Sequence, residues 1–240
     1  MKNIGEEIFG EISEEELEKT LSIVFQPVYS LEENKVVSYE VLSRFALDNI
    51  STIEIIEQLE IIDKIYLLDF LVLKKIEKYL KNSNVKLAIN ISFKTMLRKQ
   101  FLKRLHLLKG SENLIIEIVE RGTFDYDDLN TAILLLNKLG IKVVMDDFPI
   151  GSSNRENFMK AQIQDVKIDK NLLKNINQKK ERDTYRNIVN FLKTKNNIIT
   201  AEGVETSEEL EFLKKINVDL VQGYFIGKPI SESEFSNFFI

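Results

Sequence analysis

Short apolar runs rich in valine and isoleucine recur along the chain, with amphipathic segments between most of them. Because their hydrophobicity is continuous rather than alternating, the runs are predicted to be strands covered on both faces, as in a parallel sheet flanked by helices. The segments between them carry apolar residues at helical spacing, for example 53–59, 64–80, 127–139, 184–195 and 207–215. Ser207 is the predicted N-cap of the last of them, with Glu208 and Glu209 in its first turn. Eight runs have strand length: 22–29, 35–42, 86–91, 114–119, 142–146, 165–169, 198–201 and 219–222.

The first connection, residues 31–34, is too short for a crossover helix and must form a hairpin, so one strand runs antiparallel to its neighbour. Eight strands with interspersed helices in 240 residues predict an α/β fold, a modified (β/α)₈ TIM-like barrel with one antiparallel strand. An open doubly wound sheet is the main alternative on pattern alone. No linker composition interrupts the chain, so residues 21–240 are predicted to form a single barrel domain, preceded by a capping helix or arm over 1–20.

Composition limits the chemistry available to the chain. Cysteine is absent, which excludes disulfides, cysteine-ligated metals and cysteine nucleophiles. The single histidine, His106, lies in a basic, leucine-rich segment predicted to be a helix over 96–109, and we interpret it as structural. Any bound metal must therefore take oxygen ligands, which favours Mg²⁺, Mn²⁺ or Ca²⁺.

Charge and hydropathy suggest where the protein works. A formal net charge of −5 gives no field that would attract nucleic acid or a membrane surface, so no DNA and no membrane partner is expected. The acidic, amphipathic N-terminal segment is unlike a signal peptide, and no run of apolar residues is long enough to span a bilayer. These features predict a cytoplasmic protein.

Polar residues capable of chemistry follow or end most of the predicted strands. Because parallel strands of a barrel end on one face, where such folds keep their active sites, these residues are expected to converge there. Each has a simpler interpretation by itself: a carboxylate at a strand end is commonly solvated or caps a helix, and a single lysine can be a surface residue. Their recurrence favours a site. The residues are Glu40, Asn90, Glu117, Glu120, Asp146, Asp147, Lys167, Asp169, Glu202 and Gln222.

So many carboxylates in one place indicate a metal site. Like charges at short distance repel and raise one another's pKa values, so they remain ionised only around cations. A set of five carboxylates and one amide oxygen suits one or two hard divalent ions, with Asp146 placed to bridge two of them. Two metal ions are a standard arrangement for phosphodiester cleavage, and Lys167 could orient the attacking water or neutralise charge. The set comprises Glu40, Asn90, Glu117, Asp146, Asp147 and Glu202.

In their order along the chain, these motifs resemble the EAL domain family, whose members hydrolyse the bacterial second messenger cyclic di-GMP to linear pGpG. The resemblance extends from residue 25 to 229, and seven motifs in order are far more specific than any one of them. It implies an irregular barrel with an antiparallel strand. The motifs are Glu40-Val41-Leu42 with Arg44, Asn90-Ile91-Ser92, Glu117-Ile118-Val119-Glu120, Asp146-Asp147-Phe148, Lys167-Ile168-Asp169, Ala201-Glu202-Gly203-Val204-Glu205, and Gln222-Gly223-Tyr224-Phe225-Ile226-Gly227-Lys228-Pro229.

The resemblance also implies roles for individual residues. Glu40, Asn90, Glu117 and Asp146 would hold one metal ion, and Asp146, Asp147 and Glu202 the neighbouring one, both ions being Mg²⁺ or Mn²⁺. The catalytic set would be Glu202 as general base, Lys167 holding the attacking water, and Glu40. Glu120 would steady the loop after the aspartate pair. The substrate, cyclic di-GMP, would be bound by Gln26, Arg44, Asp169, Glu205 and Gln222.

One position and one loop, residues 148–154, depart from the family's pattern. Val41 replaces the usual alanine, a small apolar exchange that should leave Glu40 in place. Pro149 follows Phe148 where the family usually has a glycine, and proline has a fixed φ and no N–H. In the family this loop links metal binding to a dimer interface, so a homodimer is an implied partner arrangement that Pro149 puts in question.

Three functional hypotheses remain open on the sequence. The first is an active metal-dependent cyclic di-GMP phosphodiesterase, favoured because no ligand or base is missing. The second is a catalytically weak or inactive member that binds the nucleotide or a protein as a regulator, supported by the altered loop. The third, a sugar-phosphate enzyme on an ordinary barrel, requires a glycine-rich phosphate loop that Gly223 and Gly227 alone do not provide.

Overall fold

The structure is a computed structural model, and it describes residues 14–47, 50–82, 85–118, 125–149 and 160–238. All eight predicted strands lie within these ranges, several of them longer or shorter than predicted by up to three residues. A ninth short strand follows them. The strands are β1 (Leu21–Ser30), β2 (Lys35–Phe45), β3 (Lys86–Asn90), β4 (Leu114–Ile118), β5 (Lys142–Phe148), β6 (Asp165–Ile168), β7 (Ile198–Ala201), β8 (Leu220–Val221) and β9 (Ile230–Ser231).

The sheet closes on itself as a barrel. Strands β2 to β8 run parallel to their neighbours in chain order. β1 is antiparallel both to β2, through the hairpin turn at 31–34, and to β8, which completes the ring. The predicted barrel with one antiparallel strand is therefore confirmed, and the open doubly wound alternative is wrong.

The C-terminal part of the described chain returns to β1. β9 pairs with β1 at Val24 and Phe25, antiparallel, so it adds a strand outside the ring. The following helix places Phe235 face to face with Phe25, with ring centroids 3.8 Å apart, and both side chains are fully buried. The edge of β1 that faces away from β2 is thus paired with β9 at Val24 and Phe25, and the helix after β9 packs on Phe25.

Helices surround the ring, and their inward faces form the core against the outward-facing strand residues. In the first of them Leu17 is buried, and Glu18 forms an ion pair with Lys74, so this helix packs on the outside of the barrel. The helices are α1 (Glu14–Thr20), α2 (Thr52–Ile61), α3 (Ile65–Asn82), α4 (Phe93–Met96), α5 (Lys99–His106), α6 (Tyr126–Lys138), α7 (Lys170–Leu173), α8 (Lys179–Lys193), α9 (Ser207–Lys215) and α10 (Glu232–Ser236).

Two helix predictions were wrong in detail. The predicted helix over 96–109 is interrupted at Leu97 and Arg98, which separates α4 from α5. The N-cap of α9 is Thr206 rather than Ser207, because Glu209 completes a capping box with Thr206. His106 is exposed at the end of α5, away from the strand ends. The division between residues 1–20 and the barrel stays a prediction, since 1–13 lie outside the described residues.

Candidate functional site

A buried lysine lies at the centre of the carboxyl ends of the strands. Lys167 is in the middle of β6, and its side chain is only 2% exposed. Its ammonium contacts four carboxylates that come from four other segments of the barrel. The Nζ–O distances are 2.8 Å to Glu202, 2.9 Å to Glu117, 3.1 Å to Glu40 and 3.5 Å to Asp146. Lys167 is therefore a counter-ion shared by these four carboxylates.

The four carboxylates keep this lysine charged. Burial alone would lower the pKa of the Lys167 ammonium, but the surrounding negative charges outweigh burial and raise the pKa well above its ordinary value. The sequence suggested that Lys167 orients a water molecule, whereas the structure shows its ammonium directly engaged by carboxylates. Its part in handling water therefore stays a prediction.

Glu40 is held by three donors. Burial would raise the pKa of its carboxyl, but Lys167, together with hydrogen bonds from Gln222 and Asn90, lowers it. The Gln222 amide donates to Glu40 Oε2 at 2.6 Å, and the Asn90 amide donates to Oε1 at 3.0 Å. Glu40 is thus an ionised carboxylate whose orientation is fixed by β3 and by the segment after β8.

The other members of the cluster are harder to ionise. Burial raises the pKa of Glu117 well above its ordinary value, and the nearby carboxylates Glu40 and Asp146 add to the shift. Burial likewise raises the pKa of Asp146. For Glu202, burial followed by repulsion from Asp146 and Glu40 raises the pKa to about 8, despite the contact with Lys167. A cation placed beside these carboxyls would favour their ionised forms.

An irregularity in β5 brings both aspartates to the same side. Successive residues of a regular strand point to opposite faces, so Asp146 and Asp147 could not both face the mouth of the barrel. The register between β5 and β6 shifts between Met145 and Phe148, and Asp147 adopts a left-handed φ of 55°. Burial, then repulsion from Asp146 and Asp169, raises the pKa of Asp147 to about 6.

This irregularity creates a set of carboxylates suited to a divalent ion. Asp146, Asp147 and Glu202 each offer an oxygen, and these atoms lie within 4.8 Å of one another. Oxygen donors of this kind are the ligands that hard divalent cations prefer. Glu40 and Glu117 join the same cluster by accepting from the Lys167 ammonium, and the Asn90 amide joins it by donating to Glu40. All six predicted metal ligands thus converge, and their ligand roles stay predictions.

The residues predicted to bind substrate line one polar cavity above this cluster. It has a volume of about 380 Å³ and opens at the mouth of the barrel. Several of these residues also have structural contacts: the Gln26 amide donates to the Gly227 carbonyl, and Asp169 caps α7 by accepting from the Asn171 N–H. The predicted residues on its wall are Gln26, Arg44, Asp169, Glu205 and Gln222.

A second, mainly apolar cavity of about 330 Å³ adjoins the first and shares Arg44, Asp146 and Asp147 with it. Its wall includes Asp69, a residue that sequence reasoning missed. Asp69 is buried on α3 and accepts hydrogen bonds from the Ser92 N–H at 3.1 Å and the Ser92 hydroxyl at 2.9 Å. Burial raises the pKa of Asp69 to about 6. It fixes the chain just after Asn90, and an acidic residue inside an apolar helix stripe is a signal that could have found it.

Some predictions fall outside the described residues. Glu120, predicted to steady the loop after the aspartate pair, is one of them, and so is the loop over 150–159. Among the helices that the structure describes, none combines the length and the apolar character needed to cross a membrane.

The chain matches a known family and several named proteins. The family model described as "EAL domain" matches residues 11–229. The "Probable cyclic di-GMP phosphodiesterase PdeA" of Escherichia coli (strain K12) is 30% identical over 151 residues, 59% of this chain and 20% of that protein. The "Cyclic di-GMP phosphodiesterase TpdA" of Vibrio parahaemolyticus is 27% identical over 208 residues, 85% of this chain and 36% of that protein. The matched segments therefore span well under half of either relative.

A solved structure shares the fold. The structure titled "Structure of EAL Enzyme Bd1971 - cAMP and cyclic-di-GMP bound form" superposes with a TM-score of 0.85 at 21% sequence identity. The match covers 98% of this chain and 69% of that one. At this level of identity the likeness supports the barrel architecture alone.

Proposed function

Since this chain belongs to the EAL domain family, we propose that it is a metal-dependent phosphodiesterase that hydrolyses cyclic di-GMP to linear pGpG. One observation carries the proposal: the Asp146, Asp147 and Glu202 oxygens lie within 4.8 Å of one another, at the mouth of the barrel and beside a buried lysine. The names of the curated relatives support the substrate.

Two Mg²⁺ or Mn²⁺ ions are proposed as the cofactors. The donor set fits them, because it consists of carboxylate and amide oxygens and contains neither thiol nor imidazole. When bound, such ions activate water and offset negative charge on the phosphate. Asp146, Asp147 and Glu202 would hold one ion, and Glu40, Asn90, Glu117 and Asp146 the other.

The protein's own groups have distinct tasks in this proposal. The Glu202 carboxylate accepts the proton of the attacking water, a role that suits a group whose pKa is about 8 in the metal-free protein. Lys167 remains positively charged and stabilises the negative charge that develops at phosphorus. Gln26 and Arg44, on the cavity wall, bind the polar edge and the phosphate of the nucleotide.

The alternative is an EAL domain that binds cyclic di-GMP or a protein without turnover. Pro149, directly after β5 and two residues beyond Asp147, is the feature that favours it. If this loop must move for catalysis, proline restricts it. Homodimerisation, which the family couples to this loop, is part of the same open question.

Incubation of the purified protein with cyclic di-GMP and Mn²⁺ tests the proposal. We expect pGpG to accumulate, measured by ion-exchange chromatography, and we expect EDTA to abolish its formation. Nucleotide binding without pGpG would favour the non-catalytic alternative. Production of pGpG in excess EDTA would contradict the metal dependence.

Metal binding is also expected to depend on pH. Glu202, with a pKa of about 8, and Asp147, with a pKa of about 6, must lose protons to coordinate a metal ion. Affinity for Mn²⁺ should therefore increase at least about tenfold between pH 6 and pH 8. Isothermal titration in buffers of different ionisation enthalpy measures both the affinity and the protons released.

The metal-free protein should show the opposite trend. The folded pKa values of Asp147 and Glu202 lie above those of the unfolded chain, so each stabilises the fold at low pH and this stabilisation is lost as pH rises. Stability in EDTA should decrease from about pH 4 to pH 8, as measured by urea unfolding. A metal affinity that does not change between pH 6 and pH 8 would contradict the assignment of these carboxylates.

A further inference from the structure

Of the residues that the structure describes, six carboxylates line the polar cavity at the mouth of the barrel: Glu40, Asp146, Asp147, Asp169, Glu202 and Glu205. Among its described lining residues, only Arg44 and Lys170 carry a positive charge. The Arg44 guanidinium donates to the Ser43 carbonyl at 2.7 Å. Lys170 is exposed, and within the described part of the chain its ammonium forms no ion pair. An unpaired lysine at the mouth of an acidic cavity is positioned to meet an anionic ligand.

Close packing against Gly203 fixes the position of the Lys170 backbone and Cβ. Gly203, directly after Glu202, has a left-handed φ of 70°. A Cβ at this position would lie 2.4 Å from the Lys170 Cβ, so only glycine allows the two segments to approach this closely. On its other side, Asp169 accepts from the Asn171 N–H at 2.7 Å and fixes the turn that carries Lys170. The base of the side chain is therefore held against the Glu202 segment, and the exposed Lys170 side chain lines the cavity.

The balance of charges at the site indicates that Lys170 contacts the substrate. The five carboxylates of the proposed metal set are matched by the Lys167 ammonium and two divalent ions. A cyclic dinucleotide brings two further negative charges, one on each phosphate. Asp169 and Glu205 add two more negative charges at the cavity wall, so Arg44 and Lys170, the two cations among its described lining residues, are both needed there. An ammonium–phosphate contact is a charge-assisted hydrogen bond and is stronger than a neutral one.

We propose that Lys170 is a substrate-binding residue whose ammonium contacts a phosphate of the cyclic dinucleotide, as the partner of Arg44. This inference rests on the proposed function, because it takes cyclic di-GMP as the ligand. Lys170 lies at the exposed rim, so it holds substrate and transition state equally. Such an interaction lowers KM and leaves kcat unchanged.

The test compares Lys170→Ala with a matched control, Lys174→Ala. Lys174 is an exposed lysine four residues further along, bonded to the Asn171 side chain and not among the cavity-lining residues. For Lys170→Ala we expect KM for cyclic di-GMP to rise about tenfold with kcat within about twofold. Lys174→Ala should behave as wild type. Lys170→Arg should restore KM to within about threefold, because the charge is retained.

Binding without turnover provides a second readout. With Glu202→Gln as the common background, the Kd of cyclic di-GMP should weaken about tenfold when Lys170→Ala is added. Raising NaCl from about 50 to about 300 mM should weaken binding less in the Lys170→Ala protein, since one screened contact is already lost.

The two proposals fail in distinguishable ways. Equal KM and Kd for the Lys170→Ala and Lys174→Ala proteins would overturn the role of Lys170 while hydrolysis by the wild type stands. A wild type that binds but does not hydrolyse would overturn the phosphodiesterase proposal, and the Kd comparison would still decide the role of Lys170. No measurable binding of cyclic di-GMP by the wild type would overturn both.

Discussion

Replacement of Lys167 by methionine is expected to destabilise the metal-free protein by about 3–5 kcal/mol at pH 8. The ammonium is buried and lies within 3.5 Å of four carboxylates, so its removal leaves several negative charges in a low-dielectric interior without a counter-ion. The carboxyls can relieve part of this cost by taking up protons. The loss should therefore be smaller at pH 6. Urea unfolding in EDTA at both pH values measures it.

Lys193 provides the matched control. The Lys193 ammonium lies 2.6 Å from the Asp219 carboxylate, closer than the Lys167 ammonium lies to any of its four carboxylates. Both the Lys193 and the Asp219 side chains, however, are about one-third exposed. Exposed pairs contribute little, so Lys193→Met should cost no more than about 1 kcal/mol. Hydrolysis should be lost only in Lys167→Met. Similar unfolding curves for the two variants would show that the carboxylate cluster does not depend on Lys167.

Replacement of Glu202 by glutamine is expected to reduce kcat for cyclic di-GMP by about 10³-fold. The change removes both the proposed base and a charged metal ligand. The stability of the metal-free protein should be unchanged, because burial and neighbouring charges raise the pKa of Glu202 to about 8, so this carboxyl is already largely neutral at pH 7. In the wild type the Lys167 ammonium lies 2.8 Å from a Glu202 oxygen. The amide oxygen of a glutamine at this position can accept the same hydrogen bond.

Three measurements together define this variant: pGpG formation, urea unfolding in EDTA, and the increase in Tm on addition of Mn²⁺. In Glu202→Gln, pGpG formation and the Mn²⁺-induced increase in Tm should both fall. The urea midpoint measured in EDTA should equal that of the wild type. Glu208→Gln, an exposed substitution in the first turn of α9, should leave all three at wild-type values. Retained turnover in Glu202→Gln would remove Glu202 from the mechanism.

The sequence was sufficient to predict the barrel and the convergence of its polar strand ends. Continuous apolar runs indicated strands covered on both faces, and the four-residue connection after β1 required a hairpin. Once the strands are parallel, their carboxyl ends share one face, so the meeting of Glu40 and Glu202, far apart in the chain, follows from topology. The hydrophobic pattern predicted the parallel strands, and it left an open doubly wound sheet as the alternative to the barrel.

Other features depend on tertiary contacts that no local pattern encodes. The four ion contacts of Lys167 arise because the barrel closes: Asp146 and Glu202 belong to the strands paired with β6 or follow them directly, and Glu40 and Glu117 come from β2 and β4. The left-handed Asp147 and the register shift in β5 depend on pairing with β6. Asp69 is visible in the sequence as an acidic residue in the apolar stripe of α3, but its partner Ser92 lies 23 residues away and is brought to it only by the fold. The N-cap at Thr206 was detectable, since Glu209 three residues later completes a capping-box signature.

The antiparallel strand β1 has a consequence for how the chain is made. Its partner β2 follows it at once, but the partners of its other edge, β8 and β9, are synthesised about 190 residues later. Until then that edge presents unpaired backbone groups, which is the condition under which strands from separate molecules associate. A nascent chain that ends before β8 is therefore the form most exposed to aggregation, and pairing of β1 with β8 and β9 protects it.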